Sequence, residues 1–249
     1  MKALITGASS GIGREMAKIL SAKGYDLIIT ARRENRLEEL KPELKTNAEV
    51  IKADLSKESE CFRLYETVKG ENIDILINAA GFGIFGAFDE TDLAREIDLI
   101  NVDIKAPHIL TKLFYKDFKK RDSGYILNIS SSAAFQPGPL LSSYYASKAY
   151  VLHLTEALAE ELRRSGSSVY IGALCPGPVA TEFDSVANVK FSLKNLSAEY
   201  VAGYAIDKMF KRKTIIIPGA AMKLAVFAER FLPRKFVVKA AYTFQRRKG

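Results

Sequence analysis

The sequence predicts an α/β protein: one domain built on a doubly wound parallel sheet with helices on both faces. Two observations carry that expectation. Short, solid apolar runs recur along the chain without the alternation of a half-solvated strand, so each reads as a strand covered on both faces. Between them lie stretches of helical composition, too long for hairpins and suited to right-handed crossovers. With 249 residues, 48% of them hydrophobic and 27% charged, the chain is long enough to bury a substantial core.

Residues 2–6 form an apolar run stopped by Gly7, hence a buried first strand. Residues 12–23 have helical composition, and residues 25–31 repeat the strand pattern. A helix is expected over 34–45, a strand over 49–53, and a helix over 56–69 with Ser56 as its cap. Residues 73–78 read as a fourth strand. Two helices should follow, the second over 93–120, and then a strand over 125–130. Residues 143–164, rich in Ala, Leu and Glu, predict a long helix. Strands over 169–174 and 214–217 enclose a helix over 198–210. No repeat, low-complexity tract or Gly/Ser/Pro linker marks a boundary. Residues 1–219 are therefore expected to form one domain, with 220–249 as its helical extension.

The charge is uneven. The chain carries a net +8, and residues 220–249 hold eight basic side chains against Glu229 alone. The body is close to neutral, which argues against general nucleic-acid binding. In the tail, Leu224, Phe227 and Phe231 recur at i, i+3 and i+7, one face of a helix. Pro233 interrupts, and Phe236, Val237, Ala240, Ala241 and Phe244 suggest a second amphipathic helix ahead of Arg246-Arg247-Lys248. Two readings stay open: helices closing over the domain or a subunit partner, or an interfacial anchor giving peripheral contact with anionic lipid. The first residues are too few for a signal-peptide apolar region, and no run approaches the ~18 apolar residues of a membrane span. A cytoplasmic location is the expectation. Cys61 and Cys175 lack CxxC or His-rich spacing and His108 and His153 lack ligand partners, so neither a disulfide framework nor a metal site is expected.

In a doubly wound sheet, ligands gather at the carboxyl ends of the strands. After the first strand comes Thr6-Gly7-Ala8-Ser9-Ser10-Gly11-Ile12-Gly13. Its glycines permit a tight turn and close approach of backbone to phosphate, and the next helix offers its N-terminal N–H groups. A dinucleotide pyrophosphate is the expected ligand. The second strand ends at Ala31, followed by Arg32 and Arg33, with no acid placed to take a ribose 2′-hydroxyl. Arginines there suit a 2′-phosphate, hence NADP(H). Asp54, beside Leu55, would accept from the adenine amino group or cap the next helix. Asn78, Ala79, Ala80 and Gly81 would let a cofactor lie against backbone. Pro176, Gly177, Pro178 and Val179 would rigidify a turn in which Thr181 holds the nicotinamide carboxamide. Tyr144 and Lys148, four residues apart, share one helix face, where an ammonium lowers the pKa of a phenol.

These stretches together resemble the short-chain dehydrogenase/reductase family over residues 2–217. The motifs are Thr6-Gly7-x-x-x-Gly11-x-Gly13, Asp54-Leu55, Asn78-Ala79-Ala80-Gly81, Asn101, Ser131, Tyr144-x-x-x-Lys148 and Pro176-Gly177-x-Val179-x-Thr181. The resemblance implies a Rossmann-type fold and reversible hydride transfer between a nicotinamide and a carbonyl or alcohol carbon. It selects Ser131 from Ser130, Ser131 and Ser132 by its distance from Tyr144. Tyr144 would then be the general acid, with Lys148 tuning it and holding the nicotinamide ribose. Ser131 would hydrogen-bond the carbonyl oxygen, and Asn101 would anchor a water in the proton relay. A homo-oligomer, dimer or tetramer, is implied, although the tail emerges where subunits of relatives often pack. The stretch from Phe183 to Leu196 is where relatives keep a substrate lid. Phe183, Val186, Val189, Phe191 and Leu193, against Asp184 and Lys190, point to a hydrophobic carbonyl substrate. Two alternatives remain: a 3-oxoacyl-thioester reductase, and a regulatory relative that binds NADP(H) without turnover.

Overall fold

The computed structural model describes residues 1–183 and 195–246. The expected lid residues Asp184, Val186, Val189, Lys190, Phe191 and Leu193 lie outside the described residues, as do Arg247 and Lys248.

The inner strands are apolar on both sides because they feed two layers, while the edge strand Ala48–Lys52 exposes Glu49 and Lys52. Along β1 (Lys2–Thr6) and β2 (Asp26–Ala31), Ile5 and Ile29 join one cluster with Met16, Leu20, Val201 and Ile206. Their neighbours Leu4 and Ile28 join the opposite cluster with Leu64, Leu110, Phe114 and Phe118. Side chains alternate across a strand, so a two-sided core demands an unbroken apolar run. The first layer is built by α1 (Gly11–Ala22) and α7 (Ala198–Phe210), the second by α3 (Glu58–Val68) and α5 (Ala106–Arg121).

The seven-stranded sheet runs β3-β2-β1-β4-β5-β6-β9, and every pairing is parallel. Its remaining strands are β3 (Ala48–Lys52), β4 (Ile75–Asn78), β5 (Tyr125–Ile129), β6 (Tyr170–Leu174) and β9 (Ile215–Ile216). β7 (Val179–Ala180) and β8 (Leu196–Ser197) form a separate small ribbon. The chain reverses direction between β1 and β4, so the turns that follow those two strands lie side by side. The predicted α/β class and single doubly wound parallel sheet are what the structure shows.

Four local expectations are corrected. The helix expected over 34–45 ends early as α2 (Glu34–Leu40), followed by a 3₁₀ turn at Lys41–Glu43, because Pro42 cannot continue the hydrogen-bond ladder. α3 begins at Glu58 with Lys57 at its N-cap, and Ser56 instead bonds back to Asp54. No helix fills the stretch between β4 and α4 (Leu93–Ile100). The helix expected over 93–120 exists but is broken by a π segment, Asn101–Lys105, in which the Ala106 N–H donates to the Asn101 carbonyl. Pro107 explains the break: without an N–H, it cannot bond the Asp103 carbonyl one turn back.

α6 (Ser142–Arg164) is the long helix the composition predicted. The tail forms α8 (Ala220–Glu229) and α9 (Arg234–Gln245), hinged at Pro233, with Val226, Val237 and Ala241 buried.

Candidate active site

The carboxyl ends of the strands open onto a cavity of about 690 Å³, enclosed on its far side by α8 and α9. One end is backbone and small residues. Gly7 sits at φ +67°, and a Cβ there would come within 2.6 Å of the Ala80 nitrogen. Only glycine lets the first turn lie this close to the turn after β4. Thr6 fixes the same approach: its hydroxyl oxygen accepts from the N–H groups of Ala79 (3.0 Å) and Ala80 (3.2 Å). At the start of α1, Ser10 is the N-cap, yet its side chain makes no capping bond to the first turn. Those N–H groups are oriented for an anion. Ser9, Ser10, Gly11, Ile12 and Gly13 all line the cavity, so a glycine-cleared cradle with an uncapped helix start fits a dinucleotide pyrophosphate.

Arg32 and Arg33 border the same end. Arg33 donates to Ser10 Oγ (2.9 Å) and Ser9 Oγ (3.2 Å) and pairs with Glu182 (2.8 Å). Arg36, from α2, also pairs with Glu182. Among the described residues, Arg32 makes no hydrogen bond or ion pair. Leu55, Ala79, Ala80, Pro176, Gly177, Val179 and Thr181 also line the cavity.

Two expected cofactor contacts turn elsewhere. The Asp54 carboxylate accepts from the N–H (3.3 Å) and hydroxyl (2.9 Å) of Ser56, closing a local turn, and does not line the cavity. Asn78 is buried, and its amide donates to Thr111 Oγ1 (3.1 Å) and Asn128 Oδ1 (2.8 Å). Asn128 in turn donates to Thr155 Oγ1 (2.9 Å). Asn78 therefore ties β4 to β5, α5 and α6, so it shapes the site from behind.

The reacting end is organised around the first turns of α6. Ser143 donates to Glu96 Oε2 at 2.6 Å, binding the helix start to α4. Tyr144 and Lys148 follow on one face, with the Lys148 ammonium 5.6 Å from the Tyr144 ring centroid. Ser131 lines the cavity beside them; its oxygen accepts from the Ala133 N–H (3.1 Å), and its proton points to the Pro176 carbonyl (3.5 Å). Asn101, expected to anchor a water in a proton relay, starts the π segment and does not itself line the cavity. Two residues on, the π segment delivers Asp103 instead. Its carboxylate, with a side chain 0% exposed, lies 2.9 Å from the Lys148 ammonium and accepts from the Phe82 N–H at 3.0 Å. Gly81 makes room for the pair: a Cβ there would stand 3.1 Å from both Asp103 oxygens and from Lys148 Nζ.

The electrostatics follow from burial. Desolvation raises the Tyr144 pKa above the ordinary phenol value, while Lys148 and the Ser131 hydroxyl pull it down without cancelling that rise. The sequence expectation of a lowered pKa thus names the right opposing force and the wrong net direction. For Lys148, burial disfavours the ammonium, but Asp103 and Tyr144 outweigh it and the net shift is upward. The Asp103 carboxyl is raised by its own desolvation, against the pull of Lys148. Asp103 was missed because its contact runs through a π turn, where the 3.6-residue period no longer says which side chains share a face. Pro107, four residues later, is the signal that marks the break.

The far end is apolar. Phe183 stacks near Tyr144 with ring centroids 5.1 Å apart. Leu141, Met222, Val226, Phe236 and Val237 line the walls. Tyr145 accepts a hydrogen bond from Gln245, coupling α6 to α9. Glu229 is the one acid that α8 and α9 give to this lining, and desolvation raises its pKa.

Against known proteins, residues 1–190 match the family described as short chain dehydrogenase. A very-long-chain 3-oxoacyl-CoA reductase of Neurospora crassa is 35% identical over 178 residues, 68% of this chain and 54% of that protein. A short-chain dehydrogenase of Sphingobium yanoikuyae, solved with NADPH, is 30% identical with a TM-score of 0.83, covering 92% of this chain and 93% of that one. A bulky-bulky ketone specific alcohol dehydrogenase of Comamonas testosteroni is 28% identical, with a TM-score of 0.79 and 92% of each chain covered.

Proposed function

We infer the function from one premise: the chain belongs to the short-chain dehydrogenase/reductase family. It is an oxidoreductase of that family, and the finer reading is an NADP(H)-dependent enzyme that interconverts a hydrophobic carbonyl and its alcohol. The observation that carries it is the position of Tyr144 and Lys148, between a glycine-cleared phosphate cradle and an apolar wall in one cavity.

In the bound state the nicotinamide supplies or accepts the hydride. The chain does the rest. The backbone around Gly7 to Gly13 and the start of α1 take the pyrophosphate, with Arg32 available to a 2′-phosphate. Lys148, held as an ammonium by Asp103, orients the ribose hydroxyls. Ser131 donates to the substrate carbonyl oxygen, where negative charge grows in the transition state. Tyr144, protonated at neutral pH because burial raises its pKa, delivers its proton to that oxygen. Phe183 and the α8–α9 wall exclude water and take the apolar body of the substrate. The NADPH bound to the Sphingobium relative and the bulky ketones named for the Comamonas relative support this reading. A 3-oxoacyl thioester is the second substrate class, favoured by the similarity to the Neurospora reductase. A homo-oligomer remains the proposed assembly, to be measured by light scattering.

The test is NADPH oxidation over ketones, aldehydes and 3-oxoacyl thioesters of varied chain length. Turnover should favour hydrophobic members and NADPH over NADH, and Arg32→Ala should erase the cofactor preference. Tyr144→Phe should keep NADPH affinity and lose at least ~100-fold in turnover, the scale of a general acid. NADPH binding without turnover on any substrate would favour the regulatory alternative.

A further inference from the structure

We propose that the outer face of α8 and α9 docks on an anionic lipid surface, with the wall of the cavity set against it. The inference uses the cavity as the substrate site and assumes nothing further about the reaction. The two helices divide their residues between two environments. Val226, Val237 and Ala241 turn inward and are buried. On the outside of α8 and the turn that follows it, Leu224, Phe227 and Phe231 are 68%, 57% and 73% exposed. Leu224 and Phe227, three apart, share one helix face, and the ring of Phe231 in the following turn stands 5.3 Å from that of Phe227, so the three form one ridge. A contiguous exposed apolar ridge marks a contact surface.

The chemistry of the contact comes from charge. Lys235, Lys239 and Arg246 recur at i, i+4 and i+11, forming one stripe along exposed α9, and Lys223, Arg230 and Arg234 flank the junction. Among the described residues, none of these six cations forms an ion pair; Lys223 donates to the Tyr204 hydroxyl at 2.8 Å. Elsewhere exposed cations do find carboxylates on their own helix, as Arg163 and Arg164 do with Glu160. The acid of this segment, Glu229, lines the cavity instead. The outer face is therefore an uncompensated cationic surface around an apolar ridge. A second copy would set like charge against like charge. An acidic protein would answer the cations but would have to supply its own apolar groove for the Phe/Leu ridge. An anionic bilayer answers both at once, with acyl chains for the ridge and headgroups for the stripe. No helix among the described residues is long and apolar enough to cross a membrane, so the contact is peripheral.

The cavity lining reaches this surface at the junction of the two helices. Leu232 and Phe236 both line it and are 46% and 57% exposed, which places them at its rim. A hydrophobic substrate dissolved in the bilayer would enter between α8 and α9 with little passage through water.

The experiment is co-sedimentation of the full chain with vesicles of phosphatidylcholine alone and of equimolar phosphatidylcholine and phosphatidylglycerol. The acidic vesicles should pellet the protein, the neutral ones should not, and added salt should release it. The double variant Phe227→Ser/Phe231→Ser and the double variant Lys235→Gln/Lys239→Gln should each weaken vesicle binding about tenfold or more. These side chains are exposed, and unchanged NADPH binding would show that each variant is folded. Equal sedimentation with both vesicle types, or undiminished binding by both folded variants, would overturn the proposal. So would a concentration-dependent dimer in light scattering that either variant abolishes, since a second copy would then occupy the face. Vesicle binding is read without turnover, so its failure stays distinct from failure of the proposed reaction.

Discussion

Lys148 is nearly buried, and water cannot stabilise its charge, so the protein must. Asp103 does so at 2.9 Å, and the pair raises the Lys148 pKa against the effect of burial. Removing one partner of a buried ion pair leaves the other charge uncompensated, at a cost of about 3–5 kcal/mol. Asp103→Asn keeps an acceptor for the Phe82 N–H but removes the counter-charge, so denaturant melts should show a loss on that order. A purely structural residue would stop there. As a positioning residue, Asp103 should also move the pH profile. A raised ammonium pKa means the charge, and the stability it brings, persists at neutral pH and is lost only as pH rises through the folded value. Tyr144 likewise stays protonated until its raised pKa is passed. Wild-type kcat/KM for reduction should therefore be flat from about pH 7 to 9. In Asp103→Asn the alkaline limb should shift to lower pH; an unmoved limb would reduce Asp103 to a structural role. Tyr144, Lys148 and Ser131 were legible in the sequence because a regular helix and a family motif fix their spacing. Asp103 was not, because a π turn stands between it and any period.

At the scale of elements, the sheet was legible almost strand by strand, since a strand between two helical layers must be apolar throughout. Prolines decided where the prediction failed. Pro42 split the helix expected over 34–45, and Pro107 converted one turn of the helix over 93–120 to π geometry. Both residues were visible, but tertiary packing chose between ending a helix and bending it. The turn after β1 shows how tightly two elements can be locked together. Gly7→Ala places a Cβ at positive φ and within 2.6 Å of the Ala80 nitrogen. Strain alone costs about 1–3 kcal/mol, and relieving it would separate the two turns proposed to cradle the cofactor. Thermal melts should drop by roughly 2–4 °C for each kcal/mol lost, with weaker NADPH binding by titration.

For the whole molecule, the tail joins what the body begins. Gln245, buried in α9, donates to Tyr145, the residue beside Tyr144. This bond reaches from the last helix to the first turn of α6 and holds the wall against the apolar end of the cavity. Gln245→Leu leaves the Tyr145 hydroxyl without its partner, at about 1–3 kcal/mol, and loosens the wall without touching the reacting groups. KM for long-chain substrates should rise several-fold, with kcat changed by less than about twofold. An equal fall in kcat on short and long substrates would instead place Gln245 in the reaction centre.

The sequence by itself determined the parallel sheet, the glycine turn, the Tyr144–Lys148 pair and two amphipathic tail helices. Each is written in local spacing: apolar runs, glycines after a strand, four residues on a helix, and a ridge at i, i+3, i+7. Only the tertiary structure decided that Asp103 is the partner of Lys148. It likewise turned Asn78 and Asp54 away from the cavity and made the tail its wall. Those choices depend on contacts between residues far apart in the chain, where burial outweighs charge for Tyr144 and a proline shifts the helical register. No local pattern encodes which of two nearby polar groups will be desolvated beside Lys148; packing around Gly81 and the π segment does.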